Sequence, residues 1–173
     1  MIFEDYVTSN KAAFLAKVQL IAAKLLTDPD YLMAVMYSES KLNPQAYNPN
    51  GGATGLIQFM PSTAAYLGTS TQELSGMSNV DQLDYVYKYF APYTGRIFSF
   101  PDLYMVTFFP VALNKPADYV IHSDTLSADT IARANPIFDL DHNDQITVGE
   151  FQSAIYSRLP ADIVAILKKK VKQ

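Results

Sequence analysis

Glu39-Ser40-Lys41-Leu42-Asn43-Pro44 and, a short interval later, Gly51-Gly52-Ala53-Thr54-Gly55-Leu56-Ile57-Gln58-Phe59-Met60-Pro61-Ser62-Thr63-Ala64 form the stretch on which the reading of this chain turns. Just before it, Leu32, Val35 and Met36 share one helical face, and Glu39 continues that face at i, i+3, i+4, i+7. A glutamate placed there points toward the apolar side. Burial disfavours its charged form, so its pKa is expected to rise. A carboxyl group kept protonated near neutrality can donate a proton in catalysis. The alternative is a helix-terminal glutamate that reaches water past the last turn, and periodicity alone does not decide between the two.

Outward from this stretch the pattern is helical. Lys11 to Leu26 carries Phe14, Leu15, Val18, Ile21, Ala22 and Leu25 on one stripe. Asp28-Pro29-Asp30 marks a helix start with Pro29 at the first position, and that helix is expected to run to about Ser40 and stop before Asn43-Pro44. A loop over 43–54 follows, then a short helical piece near Gly55 to Phe59 and another from Pro61 to Gly68. Ser78 and Asp81 open a helix that should turn Val80, Leu83, Val86, Tyr87 and Phe90 inward. Pro101 opens a further helix that must end or kink before Pro110. From about Ser127 the order is helix, loop, helix, helix. No internal repeat or low-complexity linker interrupts the chain.

The Glu-Ser pair at a helix end, the Asn-Pro, the small-residue loop, Gly55-Leu56-Ile57-Gln58 and Met60-Pro61-Ser62-Thr63-Ala64 together resemble the soluble lytic transglycosylase family, whose fold goose-type lysozymes share. Ile57 stands where the family pattern has Met, a volume-conserving change. The resemblance implies a mainly α, lysozyme-like fold, with residues 1–126 as the catalytic part and residues 127–173 as a helical C-terminal extension packed on it. It implies cleavage of the β-1,4 bond between N-acetylmuramic acid and N-acetylglucosamine in peptidoglycan, with Glu39 as the catalytic acid/base and no cofactor for the chemistry. By the same resemblance Ser40, Asn48, Gln58 and the backbone near Met60 bind substrate. The family's third motif, Ala-Tyr-Asn-x-Gly, is absent. The segment Asp102 to Pro110 takes its place, with Tyr104 as the candidate for the missing hydroxyl and Phe108 as a packing alternative. That segment and Asp81 to Phe90 resemble a branch found in phage-encoded wall hydrolases.

A second constellation, Asp139-Leu140-Asp141-His142-Asn143-Asp144-Gln145-Ile146-Thr147-Val148-Gly149-Glu150, resembles an EF-hand calcium loop. Its implied ligands are Asp139, Asp141, Asn143, Gln145, Thr147 and Glu150. Ile146 is the apolar anchor, and Ile131, Ala134, Phe138, Phe151, Ile155 and Leu159 belong to the flanking apolar faces. Asp144 sits where glycine normally takes the left-handed turn, which Asp tolerates better than most residues. A structural Ca2+ is expected, pinning the C-terminal helices; an acidic turn without an ion is the plainer alternative. His142 and His122 are too separated to suggest zinc.

Composition bounds the rest. At 49% hydrophobic and 17% charged residues the chain is globular, and a net charge of -4 gives no general attraction to nucleic acid or an acidic membrane. The basic run Lys168-Lys169-Lys170 with Lys172 reads as a solvated helix end. No cysteine is present, which excludes thiol nucleophiles, zinc-thiolate sites and disulfides. No apolar run approaches membrane-spanning length, and the N-terminus lacks signal-peptide order. By the family resemblance the expected partner is peptidoglycan, and by the phage-like resemblance, with no signal-peptide order, it is expected to be reached after virion delivery or release at lysis, by a monomer, with other virion proteins as further candidates. Two rivals stay open: a muramidase that uses water on the same scaffold, and a non-catalytic, calcium-stabilised glycan-binding or virion structural module.

Overall fold

The computed structural model describes residues 1–171, so Lys172 of the basic run lies outside the described residues. The chain is mainly helical, as expected, and divides into two compact units, Met1–Phe100 and Pro101–Gln173.

In the first unit, α1 (Lys11–Leu25) buries Phe14, Val18, Ile21, Ala22 and Leu25 and packs against both α2 (Pro29–Ser40) and α5 (Asn79–Phe90). Each fully buried side chain of this size contributes roughly 1.5–3 kcal/mol over its exposed state. Asp28 caps α2, its side chain accepting from the Asp30 N–H, with Pro29 in the first turn where a missing N–H costs nothing. The end of α2 comes earlier than Asn43-Pro44 requires. Lys41 and Leu42 both enter the left-handed region (φ 55° and 61°), and the Leu42 N–H reaches back 3.3 Å to the Met36 carbonyl. This bond from i to i−6, with burial of Leu42, offsets the backbone cost.

The loop expected over 43–54 contains a small hairpin, with β1 (Tyr47–Asn48) antiparallel to β2 (Ala53–Thr54). The expected helical piece at 55–59 does not form. Gly55 (φ 83°) and Gln58 (φ 52°) are left-handed, and Thr54 and Phe59 exchange N–H···O bonds of 3.0 and 2.9 Å, closing a tight loop. After α3 (Pro61–Tyr66) comes α4 (Thr71–Gly76), which the apolar pattern did not reveal. Its signal is local: Ser70 accepts from the Glu73 N–H, the S-x-x-E start that precedes many helices. In α5 the inward face carries Asn79 and Gln82 beside Leu83, Val86 and Phe90, while Val80 and Tyr87 are only half-buried. Two amides thus take inward places that apolar periodicity had assigned to other residues.

Helix α6 (Phe100–Phe108) stops ahead of Pro110 as expected. The second unit continues with α7 (Ala128–Ala134), α8 (Val148–Ser157) and α9 (Ala161–Lys170). Its core includes an aromatic cluster in which Phe108 stacks on Phe151 at 4.9 Å, while Phe138 and Tyr104 meet Phe151 edge-on at 5.0 and 5.9 Å. Lys168 to Lys170 fill the last turn of α9, where cations suit the helix dipole. Among the described residues, no helix is long and apolar enough to cross a membrane.

Candidate functional site

Glu39 lies in the last turn of α2 and is half-buried, while Leu32, Val35 and Met36 below it are fully buried. Tyr31, Met33 and Ala34 are buried as well, so this part of α2 is packed on all sides and exposure begins only in its last turn, at Tyr37 to Glu39. Ser40 beside it is only 7% exposed. Its hydroxyl approaches the Met36 carbonyl at 3.0 Å and the Leu56 carbonyl at 2.9 Å. This side chain braces the helix end against the Gly55-Leu56-Ile57-Gln58 loop.

The same loop is tied elsewhere. Gln58 Nε2 donates to the carbonyls of Gly55 (3.1 Å) and Ala46 (3.2 Å), and Gly55 N–H donates to Ala46 (2.8 Å). Asn48 is exposed on β1, its side chain accepting from the Asn50 N–H at 2.9 Å. Met60 is exposed at the N-terminus of α3. Ser40, Asn48, Gln58 and Met60 are thus all in the first unit, two of them holding loop geometry through backbone carbonyls. Tyr104 lies in the second unit, 7% exposed, with its ring against Phe151.

Two residues of α5 were missed from the sequence. Gln82 is fully buried and its carboxamide is the hub of the loop region. Oε1 accepts from Leu56 N–H at 3.0 Å, and Nε2 donates to the carbonyls of Pro44 (2.5 Å) and Leu74 (2.7 Å). This hub also explains Gly55. A Cβ there would sit 2.5 Å from Gln82 Oε1, on a backbone at φ +83° that side chains avoid. The glycine serves close approach to a buried amide. Gly55→Ala is accordingly expected to cost about 2–4 kcal/mol, from the left-handed backbone and the displaced hydrogen bonds together. Urea unfolding midpoints check this, and a loss below about 0.5 kcal/mol, within the range of an ordinary surface substitution, would remove the explanation.

The second is Tyr89. Burial first, then Tyr93, then the charge of Glu39 push its phenol up to about 12, so it is neutral across the physiological range. Its ring meets Phe59 of the loop edge-on at 6.3 Å and Phe90 at 5.1 Å. Tyr89 also lines a groove of about 440 Å3, with Ser62, Thr63 and Tyr66 from α3 on one side and Lys88 and Tyr93 on the other. Hydroxyls and aromatic faces of this kind suit a polar sugar ring. A larger groove of about 600 Å3 lies between α8 and α9, beside Gln152, Tyr156, Leu159, Val164 and Lys168. Among the described residues lining either groove there is no acid, so neither lining by itself makes a centre for proton transfer; the smaller groove lies in the same unit as Glu39.

Three other carboxylates of the α4–α5 segment, Glu73, Asp81 and Asp84, are engaged locally. Glu73 accepts the hydroxyls of Thr69 (2.9 Å) and Ser70 (3.2 Å), and Asp81 accepts that of Ser78 (2.7 Å). Asp84 pairs with Lys17 at 2.8 Å. All three serve helix starts or a surface ion pair.

With this geometry in view, the comparison with protein families is direct. Residues 18–88 match the model of the transglycosylase SLT domain. The SLT match runs from α1 to α5 and contains Glu39, Ser40, Gln58 and Gln82. The mainly helical architecture agrees with the lysozyme-like fold of that family. Comparison with curated proteins and with solved structures finds no match for the chain.

Outside the SLT segment, the 139–150 loop gathers carboxylate oxygens of Asp139, Asp141 and Glu150 within 4.8 Å of one another. Oxygens that share one Ca2+ at about 2.3–2.6 Å cannot lie much farther apart, so the separation fits. Asp144 takes the left-handed turn (φ 62°), as does His142 (φ 59°). Asp139 accepts the N–H groups of Asn143 and Asp144, each at 3.1 Å. Asn143 holds Asp141 and accepts Gln145 N–H, both at 2.9 Å. Thr147 caps α8 and Glu150 closes a capping box with it. Burial works to raise the Glu150 carboxyl, but the N–H and hydroxyl of Thr147 and the N–H groups of Asp141 and Leu140 outweigh it and hold the group below its usual range. That contribution is present above the ordinary carboxylate pKa and is lost as pH falls through the lower folded value. The loop's outer edge is closed by its own chain. Ile121 N–H donates to Ile146 (2.8 Å), Val148 N–H to Tyr119 (3.0 Å) and Gly149 N–H to Ala117 (2.8 Å). Residues 117–121, which the expected boundary after 126 assigns to the catalytic part, thus pair directly with this loop.

Proposed function

We propose that this chain cleaves the glycan strands of peptidoglycan as a lytic transglycosylase, with Glu39 as its single acid/base. The SLT match supports a peptidoglycan-acting function of this type. The observation that carries the single-carboxylate reading is the engagement of Glu73, Asp81 and Asp84 elsewhere, beside a half-buried Glu39. Glu39 protonates the oxygen linking N-acetylmuramic acid to N-acetylglucosamine, and positive charge develops at C1 as that bond breaks. The resulting carboxylate then takes the proton of the sugar's own C6 hydroxyl, whose oxygen bonds to C1 and closes a 1,6-anhydro ring. Internal attack of this kind enjoys effective concentrations on the order of 10⁵ M or more. A water-using hydrolase normally sets a second carboxylate across the bond. Tyr89, neutral and close to Glu39, supplies a phenol beside the reacting centre, and the Tyr66–Tyr93 groove receives the strand.

Mass spectrometry of fragments from purified peptidoglycan tests the outcome. Anhydro ends, lighter by one water than reducing ends, are expected. Reducing ends throughout would make the chain a muramidase, and no soluble fragments at all would leave the non-catalytic reading. As part of the same proposal, and on the phage-like resemblance of its sequence, such an enzyme acts on the wall after virion delivery or release at lysis. We further propose that Asp139, Asp141, Asn143, Gln145, Thr147 and Glu150 hold a structural Ca2+, which takes no part in the chemistry.

A further inference from the structure

We propose that Gln82 is a positioning residue for Glu39, acting through the Leu56 peptide group and Ser40. The inference rests on the transglycosylase reading above. Two hydrogen bonds in series connect α5 to the end of α2. Gln82 Oε1 accepts the N–H of Leu56, and the carbonyl of the same residue accepts the hydroxyl of Ser40. Ser40 is the residue next to Glu39, and its hydroxyl also touches its own helix at Met36. Leu56 is therefore held from both ends, and the last turn of α2 is held to the loop that carries Gln58.

The chemistry explains why the hub is an amide. A carboxamide has one acceptor oxygen and two N–H donors. Here the oxygen serves Leu56 while the donors serve Pro44 and Leu74, so one buried group joins the Asn43-Pro44 segment, the glycine loop and the end of α4. Methionine matches its length and fills its space but offers none of these bonds. Glutamic acid keeps the oxygen that Leu56 needs and loses one or both donors. Catalysis at a half-buried acid is sensitive to placement, and a shift of about 1 Å can cost on the order of 100-fold in rate. A supporting shell of this kind determines whether the acid meets the glycosidic oxygen squarely.

Four proteins test the proposal: Gln82→Met, Gln82→Glu, Ser40→Ala and the Gln82→Met/Ser40→Ala double variant. Each is assayed on soluble glycan strands well below its own melting midpoint. Both Gln82 variants are expected to melt earlier than wild type. Only Gln82→Met is expected to lose kcat, by tenfold or more with KM within about twofold, while Gln82→Glu retains most of it. Ser40→Ala is expected to lose kcat by a similar factor, and the double variant to be no slower than the slower single one, because both changes break one series. Unchanged kcat in folded Gln82→Met, equal kcat losses in the Met and Glu variants, or losses that multiply in the double variant would each overturn it. Should Gln82→Met fail to fold, unchanged kcat in Ser40→Ala, which orphans no buried N–H, would overturn it alone. An inactive wild-type protein would instead sink the functional reading on which the proposal rests.

Discussion

Glu39→Gln is expected to lower release of soluble fragments from purified peptidoglycan by roughly 10²–10⁴-fold, the range that a positioned acid/base contributes. Glutamine keeps the length and most of the polarity of glutamate but has no proton to give the leaving oxygen and no basic oxygen to take one from the C6 hydroxyl. The fold should be undisturbed, because Glu39 is half-buried at a helix end whose termination is set by Lys41 and Leu42. Melting midpoints of the two proteins should therefore agree within a few degrees. The pairing of these measurements matters, since loss of activity together with loss of fold would say nothing about chemistry. Wall-degrading activity retained by a folded Glu39→Gln protein would end the single-acid mechanism. Glu73→Gln and Asp84→Asn are the matching controls, and both should remain active because those carboxylates serve a helix cap and Lys17.

Calcium removal is expected to have the second large effect, on stability and not on the chemical step. An ion that binds only the folded loop, at about 100 times its dissociation constant, adds about 2.7 kcal/mol. For a chain of this size each kcal/mol moves the melting midpoint by roughly 2–4 °C, so chelation should lower it by about 5–10 °C. Adding Ca2+ back should restore it. Glu150→Gln separates the ion from the helix cap. Glutamine still completes a capping box with Thr147, as the S/T-x-x-E/Q pattern allows, but it removes the carboxylate that the ion would share with Asp139 and Asp141. This variant should melt no higher than the chelated wild-type midpoint, since its amide cannot also accept the Leu140 N–H, and should ignore Ca2+. A wild-type midpoint unmoved by chelator would leave the loop as an acidic turn. Because Ile121, Tyr119 and Ala117 already close the edge of this loop, a lone EF-hand-like loop here needs no second one beside it.

What the sequence determined alone is what depends on near neighbours. Asp28 and Pro29 start α2, Ser78 starts α5, and α2 ends at Ser40, directly after Glu39. Each is settled within a turn or two of helix, and the loop that follows Glu39 could be recognised from residue order. The start of α4 at Ser70 was equally local and could have been read from its capping pattern. Other features lay beyond that range. Nothing near Gln82 says that an amide turns inward in place of Val80, because its partners at Pro44, Leu56 and Leu74 arrive only when the chain has closed. The Ser40 hydroxyl finds the Leu56 carbonyl only in the folded chain, and Tyr89 reads as one aromatic among many until burial, Tyr93 and the charge of Glu39 raise its phenol. Tertiary structure decided these because a buried polar group is tolerated only where distant backbone supplies its bonds, and periodicity carries no record of where distant backbone will be.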